Sequence, residues 1–468
     1  MTELHYLSAT DAMRMFTSGE LSPVELMTAV IRRAEAVEPQ LNAFPATLYE
    51  SALEQACEAE KRYAAGDARP LEGIPVAVKE EAPIAGQLNT LGSVRLRDNV
   101  AENTAVFVQR IIDAGGIVHA RSATPEFSSA PVTWSALWGV TRNPWNLAYS
   151  PGGSSGGSGA ALAAGSTTLA TGSDIGGSIR IPSSFCGVVG FKPPYGRVPE
   201  VEIFNLDHYC HEGPLARTVA DCALLENVIA GPHPSDVASI RPKLVIPSEL
   251  EPIRGLRIAF SADLGCFDVA QEVVACAEAA ADRLRAVGAV VDRISLPWEL
   301  EMIKRAAAIH FGLIMAGSIA AEFGELGEEF TPYVRDLVDG AKTITTRDIV
   351  EGLVLEARIY EPLGTLLDDY DALLCPTFAV AGLPAQWQMD PLPDRSDDDW
   401  IDVMMTLPFN IASRCPVVNV PAGRSSDGVP IGMSVVARTY DDVTAFRVAA
   451  AHEEHLGWWA DGGPRPAL

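Results

Sequence analysis

Directly after a helix start signal, apolar residues recur at helical spacing, at Val24, Met27, Val30, Ile31 and Ala34. Ser22 can cap, Pro23 suits the first helical position, and Glu25 completes a capping box, so the stretch predicts an amphipathic helix. A second helix is expected at Ala46 to Ala64, and Gly73-Ile-Pro-Val-Ala-Val-Lys79 reads as a short, largely buried strand. A helix from about Asn103 to Ala114 closes on Gly115-Gly116 and runs at once into the strand IVHAR. The strand LRIAF at Leu256 to Phe260, an Ala-rich helix near Val269 to Val287, and VVDRISLP repeat the rhythm. Residues from about Pro297 to Asp369 read as mostly helical. DALLCPT, PVVNVPAG and IGMSVVA then give three apolar strands before a last helix near Asp441 to His455. Such alternation predicts an α/β protein whose mixed or parallel sheet is covered on both faces.

Between Trp145 and Pro194 the pattern changes to Gly, Ser and Ala. A run of that composition is ordinarily a flexible linker. Here it is punctuated by Leu162, Leu169, Ile175, Ile179, Ile181, Val188, Val189 and Phe191, which places it in the core. The Pro- and Asp-rich segment from Leu383 to Trp400 reads as a long loop, either a solvated excursion or a flap over a site.

Composition narrows the function. The 468 residues are 48% hydrophobic and 21% charged, which excludes disorder, and the net charge of −26 opposes binding to phosphate backbones or acidic lipid. Neither nucleic acid nor a membrane is expected as a partner. The N-terminal segment lacks a basic region followed by an apolar run, and the eight cysteines form no CxxC pair. A cytoplasmic protein with reduced thiols is the expectation.

Three kinds of chemistry compete for the polar residues. His452 and His455 are spaced i, i+3, whereas a zinc helix needs i, i+4, and position 456 is Leu; His208 and His211 show no further ligand cluster nearby. No metal and no cofactor are expected. The GGSSGGSG run lacks the Lys and hydroxyl that close a P-loop, and it follows a turn rather than a strand. A serine nucleophile with a lysine base survives. Lys79 is read as the one lysine ending an apolar strand, where desolvation would lower its pKa. Moving that value from about 10.4 to roughly 7 or 8 costs on the order of 3 to 5 kcal/mol and creates a usable neutral fraction. Ser178 follows two glycines in GSDIGGS, so the backbone amides of Ile175, Gly176, Gly177 and Ser178 itself can converge on one anion.

At these motifs the chain resembles the amidase signature hydrolases. The resemblance rests on GIPVAVK, on TRNPWN running into SPGGSSGGSGAALAAG, and on GSDIGGSIRIPSSFCGVVGFKPPYGRVP, with weaker support from ALLCPT, PVVNVPAG and VPIGMSVVART. It extends from about residue 5 to 455 and is strong over roughly 70 to 200. Spacings of 75 residues from Lys79 to Ser154 and 24 from Ser154 to Ser178 agree with it.

The resemblance implies a large twisted mixed β-sheet core surrounded by helices, in one domain over 1–468. The catalytic core would lie at about 70–200, less regular substrate walls at about 200–369, and completing C-terminal strands and helix at about 370–457. It also implies Ser178 as nucleophile, Ser154 as a bridging serine held by an unusual cis peptide, and Lys79 as terminal base. Asp174 and Arg180 would brace the nucleophile loop, and Ser155 would stand beside the relay. The implied activity is hydrolysis of an amide, with carbamates and esters within reach and a homodimer allowed. Rivals are a glutaminase subunit that hands on ammonia and a non-catalytic scaffold. One departure is visible, Glu80-Glu81 after the lysine. Strand alternation points Glu80 away from Lys79; a carboxylate that did face the lysine would raise its pKa and weaken the base.

Overall fold

Ser22 caps the helix Pro23–Leu41 with a full capping box: its hydroxyl accepts from Val24 N at 3.0 Å, and Glu25 accepts from Ser22 N at 2.9 Å. The apolar stripe of that helix buries Met27, Val30, Ile31 and Ala34 as the spacing predicts. The computed structural model describes residues 3–200, 203–387, 400–460 and 462–468. Most of the loop expected at Leu383 to Trp400, residues 388–399, lies outside the described residues.

Thirteen strands are described: β1 Ala46–Thr47, β2 Pro75–Lys79, β3 Ile117–Ser122, β4 Trp134–Ser135, β5 Gly139–Val140, β6 Leu169–Ser173, β7 Val189–Lys192, β8 Glu212–Ala216, β9 Arg257–Phe260, β10 Val290–Arg293, β11 Ala372–Pro376, β12 Val417–Arg424 and β13 Pro430–Ala437. Eleven form one mixed sheet in the order β1-β3-β2-β6-β8-β7-β12-β13-β11-β9-β10, and β4 and β5 make a separate ribbon. The strands β3, β2 and β6 run parallel, so Lys79, Ser122 and Ser173 emerge at one edge, where open α/β sheets place their sites.

Alternation within β2 explains why a Gly/Ser/Ala segment belongs in the core. Val76 and Val78 enter one apolar layer with Leu169, Phe191 and Val418, while Ala77 faces the other side with Ala120 and Ala170. That second face is paved with methyl groups. The helix Gly156–Ala164, buried along its whole length, lies against it through Ala160 to Ala164. Small residues on both partners let the helix come close and bring its N-terminal serines under the strand ends.

Two elements depart from the sequence reading. Ala46 and Thr47 pair with β3 instead of opening a helix, and helix Tyr49–Ala65 starts behind them, because Leu48 N is taken by His119 O at 2.8 Å. β8 has no counterpart in the sequence pattern, yet it sits between β6 and β7 near the sheet centre. Its sequence, EGPLA, carries both Gly213 and Pro214, which weaken any strand signal. The segment Leu300–Phe323 is long and apolar enough by composition to cross a membrane, but half of it is buried here, with Ile303, Ala306, Ala307 and Phe311 in the second core layer.

Candidate active site

At the end of β2 the Lys79 side chain is fully buried, and its Nζ donates to Ser154 Oγ at 2.7 Å and Ser173 Oγ at 2.8 Å. Ser154 follows a cis Gly153–Ser154 peptide just before helix Gly156–Ala164. A Cβ on Gly153 would lie 2.6 Å from Ala130 O and from Val132 N and O, so the bend admits only glycine. Ser155 N donates to Ser178 O at 3.2 Å, and Ser155 Oγ to Ser173 O at 3.4 Å, which ties the cis turn to the Ser178 turn.

The turn of residues 174–179, which carries Ser178, joins β6 to the helix Arg180–Cys186 and is organised by one carboxylate. Asp174 accepts from the amides of Gly177 at 2.8 Å, Ile179 at 3.2 Å and Arg180 at 3.3 Å, from the Arg180 guanidinium at 2.8 and 2.9 Å, and from Asn410 Nδ2 at 2.9 Å. Burial alone would raise this carboxyl; the Arg180 charge and these hydrogen bonds hold it well below the usual carboxylate range. Gly177 has φ +131°, and a side chain there would collide with Thr406. Ser178 is nearly buried, and among the described residues no hydrogen bond joins its Oγ to Ser154 Oγ.

The comparisons decide the family. The amidase family matches residues 25–446. The chain belongs to the amidase signature family. An acylamidase of Rhodococcus erythropolis is 34% identical over 481 residues, covering 100% of this chain and 99% of that protein. A component of the glutamyl-tRNA(Gln) amidotransferase of Roseiflexus sp. (strain RS-1) is 34% identical over 486 residues, covering 98% of each. Among solved structures, a bacterial aryl acylamidase of the amidase signature family superposes with TM-score 0.91 at 29% identity, over 98% of this chain and 99% of that one. A 6-aminohexanoate cyclic dimer hydrolase follows with TM-score 0.86 at 29% identity over 99% of each chain. The protein is thus an amide hydrolase.

Not every residue read from the amidase's sequence has the expected position. Gly177 N is spent on Asp174, so it is not available to an oxyanion; the amides of Ile175, Gly176 and Ser178 have no acceptor among the described residues. Lys79 is not the one lysine ending an apolar strand. Lys192 ends β7, is equally buried, and has its pKa lowered to about 7 by burial. Its Nζ reaches backbone carbonyls, Pro193 O at 3.1 Å and Ser413 O at 3.3 Å, together with His211 Nε2 at 3.4 Å, rather than a serine hydroxyl. Glu80 does point away from Lys79, to Thr90 N, but Glu81 does not: its Oε1 lies 2.9 Å from Lys79 Nζ. Ser173, which no sequence motif singles out, is the second serine on the lysine.

A cavity of about 440 Å³ opens in front of Ser178 and Gly176. Phe311, Met315, Tyr333, Leu337, Trp400 and Met404 wall it, and Asp336 is the charged residue among its described lining. Phe311 precedes a π-helical turn, Gly312–Ala316, and Met315 lies within it, a distortion common at functional sites.

The histidines also depart from expectation. The helices Leu300–Phe311 and Thr346–Asp369 bring His310 and Glu356 to His208, with ligand atoms within 4.8 Å of one another, a cluster that residue spacing could not show. These groups satisfy each other: His310 Nε2 lies 2.6 Å from Asp207 Oδ1, His208 Nε2 3.2 Å from Glu356 Oε2, and Tyr209 OH donates to Glu356 Oε1 at 3.0 Å. His211 stays apart, its ring between Asp174 O and Ser413 O at 3.0 and 3.1 Å. His452 and His455 do not converge, since His452 Nε2 faces Pro421 O while His455 is exposed and faces Ala451 O. Prolonged dialysis against a strong chelator is therefore expected to leave turnover unchanged. A loss restored by zinc would instead assign the His208–His310–Glu356 cluster to a metal.

Proposed function

We propose that the amidase works through an acyl-enzyme on Ser178, with Ser154 as bridging acid and base and Lys79 as terminal base. Its substrates on this reading are small amides with an apolar or aromatic group. The observation that carries it is the 2.7 Å contact of Lys79 Nζ with Ser154 Oγ beside a serine that faces an apolar cavity.

In the reactive form neutral Lys79 takes the Ser154 proton, Ser154 takes that of Ser178, and Ser178 Oγ bonds to the carbonyl carbon. The carbonyl oxygen becomes an oxyanion facing the free amides of Ile175, Gly176 and Ser178. Collapse breaks the carbon–nitrogen bond as Ser154 protonates the leaving nitrogen and recovers a proton from Lys79. Water then attacks the ester and releases acid along the same relay. Carbamates and esters share the acyl-transfer step and fall within this scope.

The cavity favours acylamides over glutamine. Its described lining offers no lysine or arginine for the α-carboxylate of an amino acid, whereas its aromatic and thioether walls suit an aryl or aliphatic group. The names of the acylamidase relatives point the same way. All eight cysteines are unpaired, which supports a reducing, cytoplasmic setting.

Ser178→Ala is expected to lower kcat by about three orders of magnitude or more with the fold intact. Mass spectrometry after fluorophosphonate treatment should find one adduct, on Ser178; a label elsewhere with Ser178 unmodified overturns the assignment.

Ser154→Ala tests the relay by leaving group. An anilide nitrogen must be protonated as it departs, while a nitrophenolate leaves as an anion. The variant should therefore lose anilide hydrolysis by a further factor of about ten to a hundred relative to the matching nitrophenyl ester. Single-turnover kcat/KM on the pair measures this. Equal losses would restrict Ser154 to the attack step.

A further inference from the structure

Two hydroxyl oxygens accept from the buried Lys79 Nζ, Ser154 Oγ at 2.7 Å and Ser173 Oγ at 2.8 Å, and Glu81 Oε1 lies 2.9 Å from the same nitrogen as an ion pair. The other oxygen of Glu81 accepts a hydrogen bond from Ser128 Oγ, and Ser128 lines the cavity in front of Ser178. One carboxylate thus touches the base on one side and the cavity wall on the other. Ser128 and its neighbour Phe127 have φ of +54° and +51°, a conformation non-glycine residues keep only where surrounding contacts impose it.

We propose that Glu81 is a positioning residue of the amidase reaction. It holds Lys79 as an ammonium in the resting enzyme, and its charge sets the pH at which that lysine becomes a base. The inference rests on the reading of Lys79 as terminal base. The step it controls is the loss of one proton from the Lys79 ammonium to solvent, which leaves a lone pair for the Ser154 proton.

The other charges that face the pair do not cancel Glu81. Glu80 turns off the other side of β2 toward Thr90 N, and Arg121 on β3 spends its guanidinium on the carbonyls of Lys79, Glu80 and Ala82. On β8, Glu212 stands opposite Ser173, and burial and the nearby Glu200 and Glu81 push its carboxyl well above the ordinary range. Asp174, one residue beyond β6, is committed to Arg180, and Asp207 to His310. The Cys210 thiol is pushed up by burial and carries no charge. Burial would raise the Glu81 carboxyl too, yet the Lys79 charge and hydrogen bonds hold it below its ordinary value, so the pair is ionic.

The sign follows from the charge. Taking away a carboxylate that touches an ammonium makes the loss of its proton easier, so removing the Glu81 charge is expected to move the rise of rate with pH downward. Glu81→Gln keeps the shape and the acceptor oxygen and removes only the charge. The measurement is the rate of Ser178 labelling by a fluorophosphonate from pH 5.5 to 10, beside kcat/KM for an anilide. Relative to wild type, the Glu81→Gln limb is expected to move down by about one pH unit or more. Glu81→Asp, which draws the charge back by one methylene, should move it down by less, and it decides the matter if the Gln variant fails a thermal-melting check. A limb coincident with wild type and only a lowered plateau would overturn the proposal, leaving Glu81 a brace for the Ser128 turn. Lys79→Ala keeps the two readings apart: labelling of Ser178 with an unaltered pH profile in that variant removes Lys79 as base whatever Glu81 does.

Discussion

The Asp174 carboxylate is completely buried, and a charge so placed is tolerated only where donors surround it. Its donors come from three parts of the chain: the Ser178 turn, the Arg180 guanidinium on the helix that follows, and Asn410 near the C-terminal strands. Arg180 is held in turn by Thr406 O at 2.9 Å and Asn410 Oδ1 at 2.6 Å. Breaking a buried pair of this kind costs about 3 to 5 kcal/mol, so the turn has a single low-energy arrangement. That arrangement divides the backbone amides. Those of Gly177, Ile179 and Arg180 face inward to Asp174, and those of Ile175, Gly176 and Ser178 have no acceptor among the described residues. On the proposed mechanism these amides are the oxyanion donors, and the turn holds them in place before any substrate binds.

The second constraint is steric. Ser154 can lie under Lys79 only because the helix Gly156–Ala164 rests on a sheet face reduced to Ala77, Ala120 and Ala170. Below the lysine, Ser158 Oγ donates to Thr171 O at 2.7 Å and lies 2.7 Å from Ser122 Oγ, while Thr171 Oγ1 accepts from Lys79 N at 3.1 Å. Hydroxyls thus cover the buried strand ends around the lysine, and each has a partner, which is the condition for burying so many polar groups together. A larger side chain in the alanine layer would lift the helix and separate Ser154 from its base.

The glycine-rich motifs made the Ser178 turn legible, because tight backbone approach leaves few residue choices, and the spacing of apolar residues located most strands and helices. Side-chain direction beyond a strand end was not legible. β2 stops at Lys79, and a turn closed by Ala82 N on Lys79 O at 3.1 Å reverses the chain at once. Strand alternation puts Glu80 on the face opposite Lys79 and Glu81 on the same face, but it cannot give the distance, which depends on the turn that brings the Glu81 carboxylate onto Nζ. Lys192 illustrates a second limit. VVGFK and PVAVK give the same apolar-strand-then-lysine pattern, and only the neighbours, carbonyls in one case and serine hydroxyls in the other, separate a structural lysine from a candidate base. The Asp207–His208–His310–Glu356 network was invisible because its members sit on a loop and two helices far apart in the chain.

The chemistry and the selectivity of the amidase occupy different parts of the fold. On the proposed mechanism the relay is built from the ends of β2 and β6 and two turns, all buried and cross-linked by hydrogen bonds. The cavity walls come mainly from the helices Leu300–Phe311 and Pro332–Ala341 and the π-helical turn after Phe311. Phe311, Met315 and Leu337 make apolar contacts and supply no hydrogen bond to Lys79, Ser154 or Asp174. Tyr333 is the exception among the wall residues, since its hydroxyl accepts from Glu126 N at 2.8 Å and donates to Trp134 O at 3.0 Å, anchoring the turn that carries Ser128. On the proposed reading substitutions at 311, 315 and 337 reshape the substrate site at the cost of packing alone, whereas Tyr333 also holds the turn whose Ser128 donates to Glu81 beside Lys79.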